Sequence, residues 1–450
     1  MQIKYIWHVM KKERCMINNF EIEGGRKLHG SISSNTSKNG SVGLLCASLL
    51  NKGKTILHGI SHIEEVYRII EVLESIGVKI KWIGKQSLEI VPPRKFKMEN
   101  LNKEAAIKTR SIIMFAGPLL HHLKSFSLPH AQGCKLGKRT VSAHIYALEE
   151  MGVRIKVTNQ NYELSHQKLK PAKIIMYESG DTACENILTA AALIPGKTTI
   201  KFASSNYMVQ EICFFLEKLG VRIEGIGTTT ISIYGIEQIN KNIEYHNSED
   251  PIESMMWITA AIATNSKLKV KRCPIEFLEL ELYKLKKMGL KYKIIKNYKS
   301  KNGRTNLSDI LILPSKLKAL EDKMEARPYP GINIDNLPFF GLIAACAKGK
   351  TLIHDWVYEN RAIYLTELNR LGGNVLLADP HRVFVEGPTK WKSAEVVCPP
   401  ALRPAVVIML AMLGAKGKSK LYNVYMIKRG YENIVERFQK LGAKIKNTAN

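Results

Sequence analysis

The stretch "LESIGVKIKW", Leu73 to Trp82, ends an amphipathic helical pattern at Gly77 and passes straight into an alternating strand pattern. Five more segments read alike: "LEEMGVRIKV" (Leu148–Val157), "LEKLGVRIEG" (Leu216–Gly225), "LKKMGLKYKI" (Leu285–Ile294), "LNRLGGNVLL" (Leu368–Leu377) and "FQKLGAKIKN" (Phe438–Asn447). A glycine at such a junction supplies the left-handed backbone that stops a helix without a Cβ clash. The six glycines, at 77, 152, 220, 289, 372 and 442, recur at an uneven spacing of roughly 70 residues, which marks a repeated supersecondary unit.

Four units carry a second signature upstream, an alanine-rich apolar helix, then Gly-Lys-Thr or Gly-Lys-Ser, then a strand. They are "LLCASLLNKGKTILHG", "ILTAAALIPGKTTIKF", "IAACAKGKTLIHD" and "LAMLGAKGKSKLYN". Helices that are apolar all round belong in an interior. The Gly-Lys-Thr runs are not phosphate loops, because the GxxxxGK[ST] spacing is absent and the glycine ends a helix instead of starting one. The unit is therefore helix, strand, helix, strand, and the fold class is α/β. Six units in 450 residues fit two domains of three units each.

The second unit departs from the rest. After "RSIIMFAGPLLHHL" (Arg110–Leu123) the short turn gives way to the long loop "SLPHAQGCKLGKRTV" (Ser127–Val141). A loop lengthened in one repeat of six is where function is sought. Cys134 stands there among Lys135, Lys138 and Arg139, and cations stabilise a thiolate. On these residues alone an ordinary surface cysteine is the better reading.

Composition narrows the class. Eight cysteines lie singly and never as CxxC, which argues against a zinc site or disulfide framework and for a reducing, cytoplasmic setting. No apolar run reaches the roughly 18 residues of a membrane span, and the N-terminal apolar run is too short for a signal peptide. The formal charge is +27, with lysines spread along the chain and dense only in "LKKMGLKYKIIKNYKSKNGR". A nucleic-acid binder would concentrate its cations. The expectation is a lysine-rich solvated surface and a small anionic ligand, with neither nucleic acid nor membrane as partner.

Several longer stretches, in order, carry a resemblance: "TSKNGSVGLLCASLL", "TRSIIMFAGPLL", "LPHAQGCKLGKRTV", "INIDNLPFFG", "VYENR", "ALRPA" and "KRGYENI". From about Phe20 onward the chain resembles the enolpyruvyl transferases, and the branch acting on UDP-N-acetylglucosamine more than the branch acting on shikimate 3-phosphate. The resemblance implies a two-domain inverse α/β barrel, or prism, each domain a threefold repeat of a βαβα-type unit, with the active site between them. One domain would span 36–245 and carry the Cys134 loop; the other would combine 19–35 with 246–450.

The implied reaction moves the enolpyruvyl group of phosphoenolpyruvate to a hydroxyl of UDP-N-acetylglucosamine and releases phosphate, the first committed step of peptidoglycan and cell-wall synthesis. No cofactor or metal is expected. Such chemistry needs a cradle for a small trianion, an acid for the methylene carbon and a base for the hydroxyl. The resemblance assigns the cradle to Lys38, Arg139, Arg403 and Arg429; arginine's planar fork suits carboxylate and phosphate. Cys134 becomes the general acid or the site of a phosphoenolpyruvate adduct, and the target of fosfomycin, on a lid loop flanked by Gly133 and Gly137. Asp335 becomes the candidate base, although locally it reads equally well as a cap for the following helix. Asn39 and Arg361 would line the acceptor and phosphate region, and Arg110 would serve lid closure. The histidines, including His121 and His122, are expected to pack or face solvent.

The departures gather on the acceptor side. Thr140 and Ser142 replace a proline and an aspartate near the uracil, Glu178 replaces a lysine, and Asp181 stands at a neutral position near the diphosphate. Pro251 replaces an arginine, and Ala401 an aspartate close to the reaction centre. A specialised paralogue that transfers enolpyruvyl to another nucleotide or sugar therefore stays open, as does a catalytically silent binding protein on the same fold.

Overall fold

The computed structural model describes residues 19–131 and 141–449. The expectations placed on Cys134, Arg139 and Thr140, and on the flanking Gly133 and Gly137, lie outside the described residues. All six glycines that end the repeated helices have positive φ, from 87° at Gly372 to 102° at Gly77.

The described strands form six sheets. In the first unit the buried helix Lys38–Ala47 leads to strand Thr55–His58, the amphipathic helix Glu64–Ser75, and a hairpin of strands Lys79–Gly84 and Ser87–Val91. A fourth strand, Ile243–His246, adds in parallel to Thr55–His58. The sheet thus has two strands more than the sequence reading gave the unit, the added parallel strand and the second strand of the hairpin. For the hairpin the reason is the turn: Lys85 and Gln86 carry no Asn-Gly or Asp-Gly signal, so two strands read as one alternating stretch. Short parallel fourth strands recur at Lys173–Ile175, Ser31–Ser33, Met324–Glu325 and Glu395–Val397.

Three sheets draw their strands only from 55–246, and three only from 19–33 and 268–448. Strand Asn19–Gly24 sits between Gly417–Tyr422 and Lys444–Thr448, antiparallel to both, so the first strand completes the last sheet.

The second unit needs two corrections. The segment after Thr109 is a 3-10 turn, Arg110–Phe115, followed by the short helix Ala116–Leu119, not one long helix. A strand, Ser125–Pro129, then pairs with Asn161–His166 before the long loop begins.

Among the apolar helices, Pro251–Ala263, Leu337–Cys346 and Leu402–Gly414 pack on one another and are buried along nearly their whole lengths. A Cβ at Gly414 would lie 2.6 Å from the Ala263 carbonyl oxygen, so the two helix ends meet only because position 414 is glycine. Helix Pro251–Ala263 escaped the Gly-Lys-Thr signature because Asn265, with φ 46°, takes the glycine's place. In the other set, Lys38–Ala47 and Asp181–Ala191 each pack against Tyr207–Leu219. No helix among the described residues is long and apolar enough to cross a membrane.

Candidate active site

Two connecting segments run side by side between the strand sets. The Ser37 amide donates to Ser248 O at 2.7 Å and the Asp250 amide to Asn35 O at 2.8 Å. Each segment then caps a helix: Ser37 Oγ accepts from the Gly40 amide, and Asp250 from the Ile252 and Glu253 amides. Side-chain caps of this kind fix where a helix begins. Lys38 and Asn39 are thereby set at the start of one helix and Pro251 at the first position of the other.

Around Lys38 gather residues distant in sequence. Arg403, buried near the start of helix Leu402–Gly414, donates from Nη2 to Asp335 Oδ2 at 3.2 Å and from Nη1 to the Tyr431 hydroxyl at 2.7 Å. Arg361 is buried on Asp355, with Nη2 2.9 Å from Asp355 Oδ1 and 2.8 Å from the Ile334 carbonyl oxygen; its Nη1 lies 3.9 Å from Asp335 Oδ1. Arg429 pairs with the buried Glu65, Nη2 to Oε2 2.6 Å, and Glu65 also accepts from Thr109 Oγ1 at 2.6 Å. Asn39 donates to the Tyr207 hydroxyl at 3.1 Å.

The charges act on one another. Burial alone would push the Asp335 carboxyl up, but Arg403, Arg361 and Lys38 outweigh it and hold it below its ordinary value. Burial pulls the Lys38 ammonium down, with Arg429 and Arg403 adding to the effect and Glu65 and Asp335 opposing it. Glu65, although buried, is held at about 2 by Lys38, Arg429 and the Thr109 hydroxyl. These mutual effects place Lys38, Glu65, Asp335, Arg403 and Arg429 in one electrostatic cluster. The helix-capping reading of Asp335 does not hold: the cap position of helix Leu337–Cys346 is Asn336.

Arg110 stands apart. It opens the 3-10 turn whose cap, Thr109, reaches Glu65, while its own charge falls on His144 and Tyr162. His144 is buried, and burial, helped by Arg110, pushes its imidazole down to about 4. Its Nδ1 lies 3.1 Å from Asn186 Nδ2, and its Nε2 3.4 Å from Thr182 Oγ1. Since the amide nitrogen can only donate, Nδ1 accepts and the proton of the neutral ring sits on Nε2.

Of the departing positions, Asp181 begins helix Asp181–Ala191, accepts from Ser204 Oγ at 2.5 Å and from Asn206 Nδ2 at 3.0 Å, and feels Asp335. Burial, with Asp335 adding to it, pushes its carboxyl up. Glu178 is exposed, Pro251 is buried, and Ala401 is the buried cap residue of the Arg403 helix, without a side-chain bond to it. The packing reading of the histidine pair holds: His122 Nε2 lies 2.8 Å from Leu49 O, and burial pushes His121 down to about 4. Sequence reasoning missed Glu65, Tyr207, Tyr431, Asp355 and His144. Tyr431 lies inside "KRGYENI", whereas Glu65, one of two glutamates in a first helical turn, reads locally as a partner for the helix dipole.

Against this geometry stand the likenesses to known proteins. The UDP-N-acetylglucosamine 1-carboxyvinyltransferase of Treponema denticola is 31% identical over 437 residues, 95% of this chain and 99% of the relative. The enzyme of that name from Bradyrhizobium diazoefficiens is 31% identical over 433 residues, 94% of this chain and 97% of the relative. In fold, the enolpyruvyl transferase NikO from Streptomyces tendae superposes with a TM-score of 0.83 at 22% identity, over 97% of this chain and all of that one. An EPSP synthase from Acinetobacter baumannii reaches 0.75 at 19% identity, over 96% of this chain and all of that one. The family model described as EPSP synthase (3-phosphoshikimate 1-carboxyvinyltransferase) matches residues 22–438, and the chain belongs to this family of enolpyruvyl transferases.

Proposed function

We propose that the protein transfers the enolpyruvyl group of phosphoenolpyruvate to a hydroxyl of UDP-N-acetylglucosamine with release of phosphate. The observation that carries this reading is Asp335, a carboxylate at the meeting point of Lys38, Arg361 and Arg403. Near-full-length likeness to relatives of that name supports the choice of acceptor. Lys38, Arg403 and Arg429, with Arg139, grip the trianion. Asn39, Arg110 and Arg361 are the further substrate-binding residues.

Asp335 takes the proton of the acceptor hydroxyl. While Arg403, Arg361 and Lys38 stabilise it alone, it is a weak base; when the negative charge of phosphoenolpyruvate shares those cations, the carboxylate becomes more basic. The hydroxyl oxygen then bonds to C2 as Cys134 protonates the methylene carbon. Return of a proton from that carbon to the Cys134 thiolate and departure of phosphate, which takes the proton held on Asp335, restore the double bond on the acceptor.

Cys134 suits the acid role by its cationic neighbours in sequence. The six described cysteines contrast with that: burial pushes Cys184, Cys273, Cys346 and Cys398 up to about 12 and raises Cys46 and Cys213 as well. Iodoacetamide or fosfomycin should label Cys134 ahead of them; mapping without that preference would remove it from the mechanism.

The fold reading goes with the function. Two inverse α/β domains, 36–245 and 19–35 with 246–450, would place the cluster where they meet, and the separate strand sets support this. A cytoplasmic location follows from the substrates. A second reading, a paralogue with another nucleotide or sugar as acceptor, is favoured by the half-buried Asp181 carboxylate. Phosphate release from phosphoenolpyruvate decides between them. Saturable release with UDP-N-acetylglucosamine is expected, and release with other acceptors alone would leave the second reading.

A further inference from the structure

We propose that Tyr177, Phe202 and Tyr146 form an aromatic rim that stacks on the nucleobase of the acceptor and so separates a sugar nucleotide from a bare sugar phosphate. The inference rests on the acceptor being a sugar nucleotide, as read above. Its basis is a wall that leads outward from Asp335. The inner part is Asp181, beside Asp335, with Ser204 and Asn206 on its carboxylate and Thr182 against His144.

Each element of that wall carries an exposed aromatic ring a few residues away. Tyr177, 69% exposed, precedes Asp181 by four residues; Phe202, 63% exposed, precedes Ser204 by two; and Tyr146, 50% exposed, follows His144 by two. The rings of Tyr146 and Tyr177 meet edge to face, with centroids 5.3 Å apart. The Met176 amide donates to Lys201 O at 3.0 Å, which brings the backbone leading to Tyr177 beside that leading to Phe202.

Phe202 stands at a position that recurs in the repeat, the left-handed residue after the parallel-paired stretch of strand, held elsewhere by Gly59, Arg272 and Asn423. Its φ is 56°, so the fold sets the backbone there, while a bulky aromatic ring at that position is particular to this unit. The core gains nothing from this ring, because it faces solvent. Aromatic faces left in water are stacking surfaces for planar rings. Glu178 and Asp181 would repel an anion laid against these rings, so the neutral base is the part of the acceptor that fits there.

Calorimetric titration tests this with UDP-N-acetylglucosamine and N-acetylglucosamine 1-phosphate as ligands. The double variant Tyr177→Ala/Phe202→Ala should bind the nucleotide roughly tenfold more weakly, bind the sugar phosphate as the parent does, and bind the nucleotide normally when position 177 is Phe and Phe202 is kept. Unchanged nucleotide affinity in the double variant, an equal loss for both ligands, or a parent that binds no uridine nucleotide would each overturn the rim. Tyr177-dependent nucleotide binding without phosphate release from phosphoenolpyruvate would instead overturn the proposed reaction and leave the rim standing.

Discussion

Two half-buried aspartates, close enough to feel each other, are shifted in opposite directions. Asp335 faces Arg403, Arg361 and Lys38 and is held below its ordinary value, whereas Asp181, among the described residues, meets the neutral donors Ser204 and Asn206 and is pushed up. Burial acts on both, so the partners decide the outcome. On the cationic wall, Asp335 and Glu65 already pair with arginines that an incoming anion can share. On the Asp181 wall, an incoming phosphate meets a second negative charge. One wall is therefore built to accept an anion and the other to discourage one.

The largest effect should come from breaking the cationic wall at its carboxylate. Asp335→Asn keeps the size of the side chain and one acceptor oxygen but removes the base, and kcat should fall by on the order of a thousandfold. Activity within tenfold of the parent would show that the hydroxyl proton goes elsewhere.

Arg403→Ala should weaken phosphoenolpyruvate binding by about 2 to 5 kcal/mol, as expected for truncating one partner of a buried charge pair. The acceptor should lose less. Calorimetry that finds phosphoenolpyruvate affinity unaltered would take Arg403 out of the cradle.

Glu65 gives a smaller effect with a definite pH signature. Its folded value of about 2 lies below the ordinary 4.5, so its contribution is fully present above pH 4.5 and is lost as the pH falls toward 2. The contribution is on the order of 3 kcal/mol. In urea unfolding, Glu65→Gln should therefore trail the parent most at neutral pH and approach it in acid. A gap of constant size between the two proteins would contradict the ion-pair role.

The repeats were legible in sequence because their signals are local: a glycine ends each amphipathic helix, and alanine-rich helices announce burial. The second hairpin strand of the first unit was not, since Lys85 and Gln86 give no turn signal, and Asn265 hid a buried helix by standing in for glycine. The site was harder. Lys38, Asp335, Arg361, Arg403 and Arg429 lie up to several hundred residues apart, and singly the cations look like solvated surface charges and Asp335 like a helix cap. Only the family resemblance picked them out, and the structure brings them into one cluster. Glu65, His144 and Tyr207 stayed hidden because their roles depend on partners far along the chain: Arg429 for Glu65, Asn186 for His144 and Asn39 for Tyr207.

The smallest expected change concerns the Asp181 wall. A carboxyl whose folded value is raised favours the folded state while it is protonated, and that contribution is lost as the pH rises through its folded value. Asp181→Asn removes this loss and the charge beside Asp335. Its Oδ1 can still accept from Ser204, while its amide group would face that of Asn206, which has to turn over. The variant should gain stability relative to the parent as pH rises, by about 1 kcal/mol, and should lower the acceptor concentration that half-saturates phosphate release several-fold, with phosphoenolpyruvate unaffected. Glu178→Lys should add to the gain because Glu178 is exposed and free to reach a phosphate. Pro251→Arg should not, because Pro251 is buried in the first turn of its helix. If the parent already saturates at low acceptor concentration and Asp181→Asn neither tightens it nor flattens the pH dependence of unfolding, the Asp181 wall is not an acceptor wall, and the contrast with Asp335 is one of stability alone.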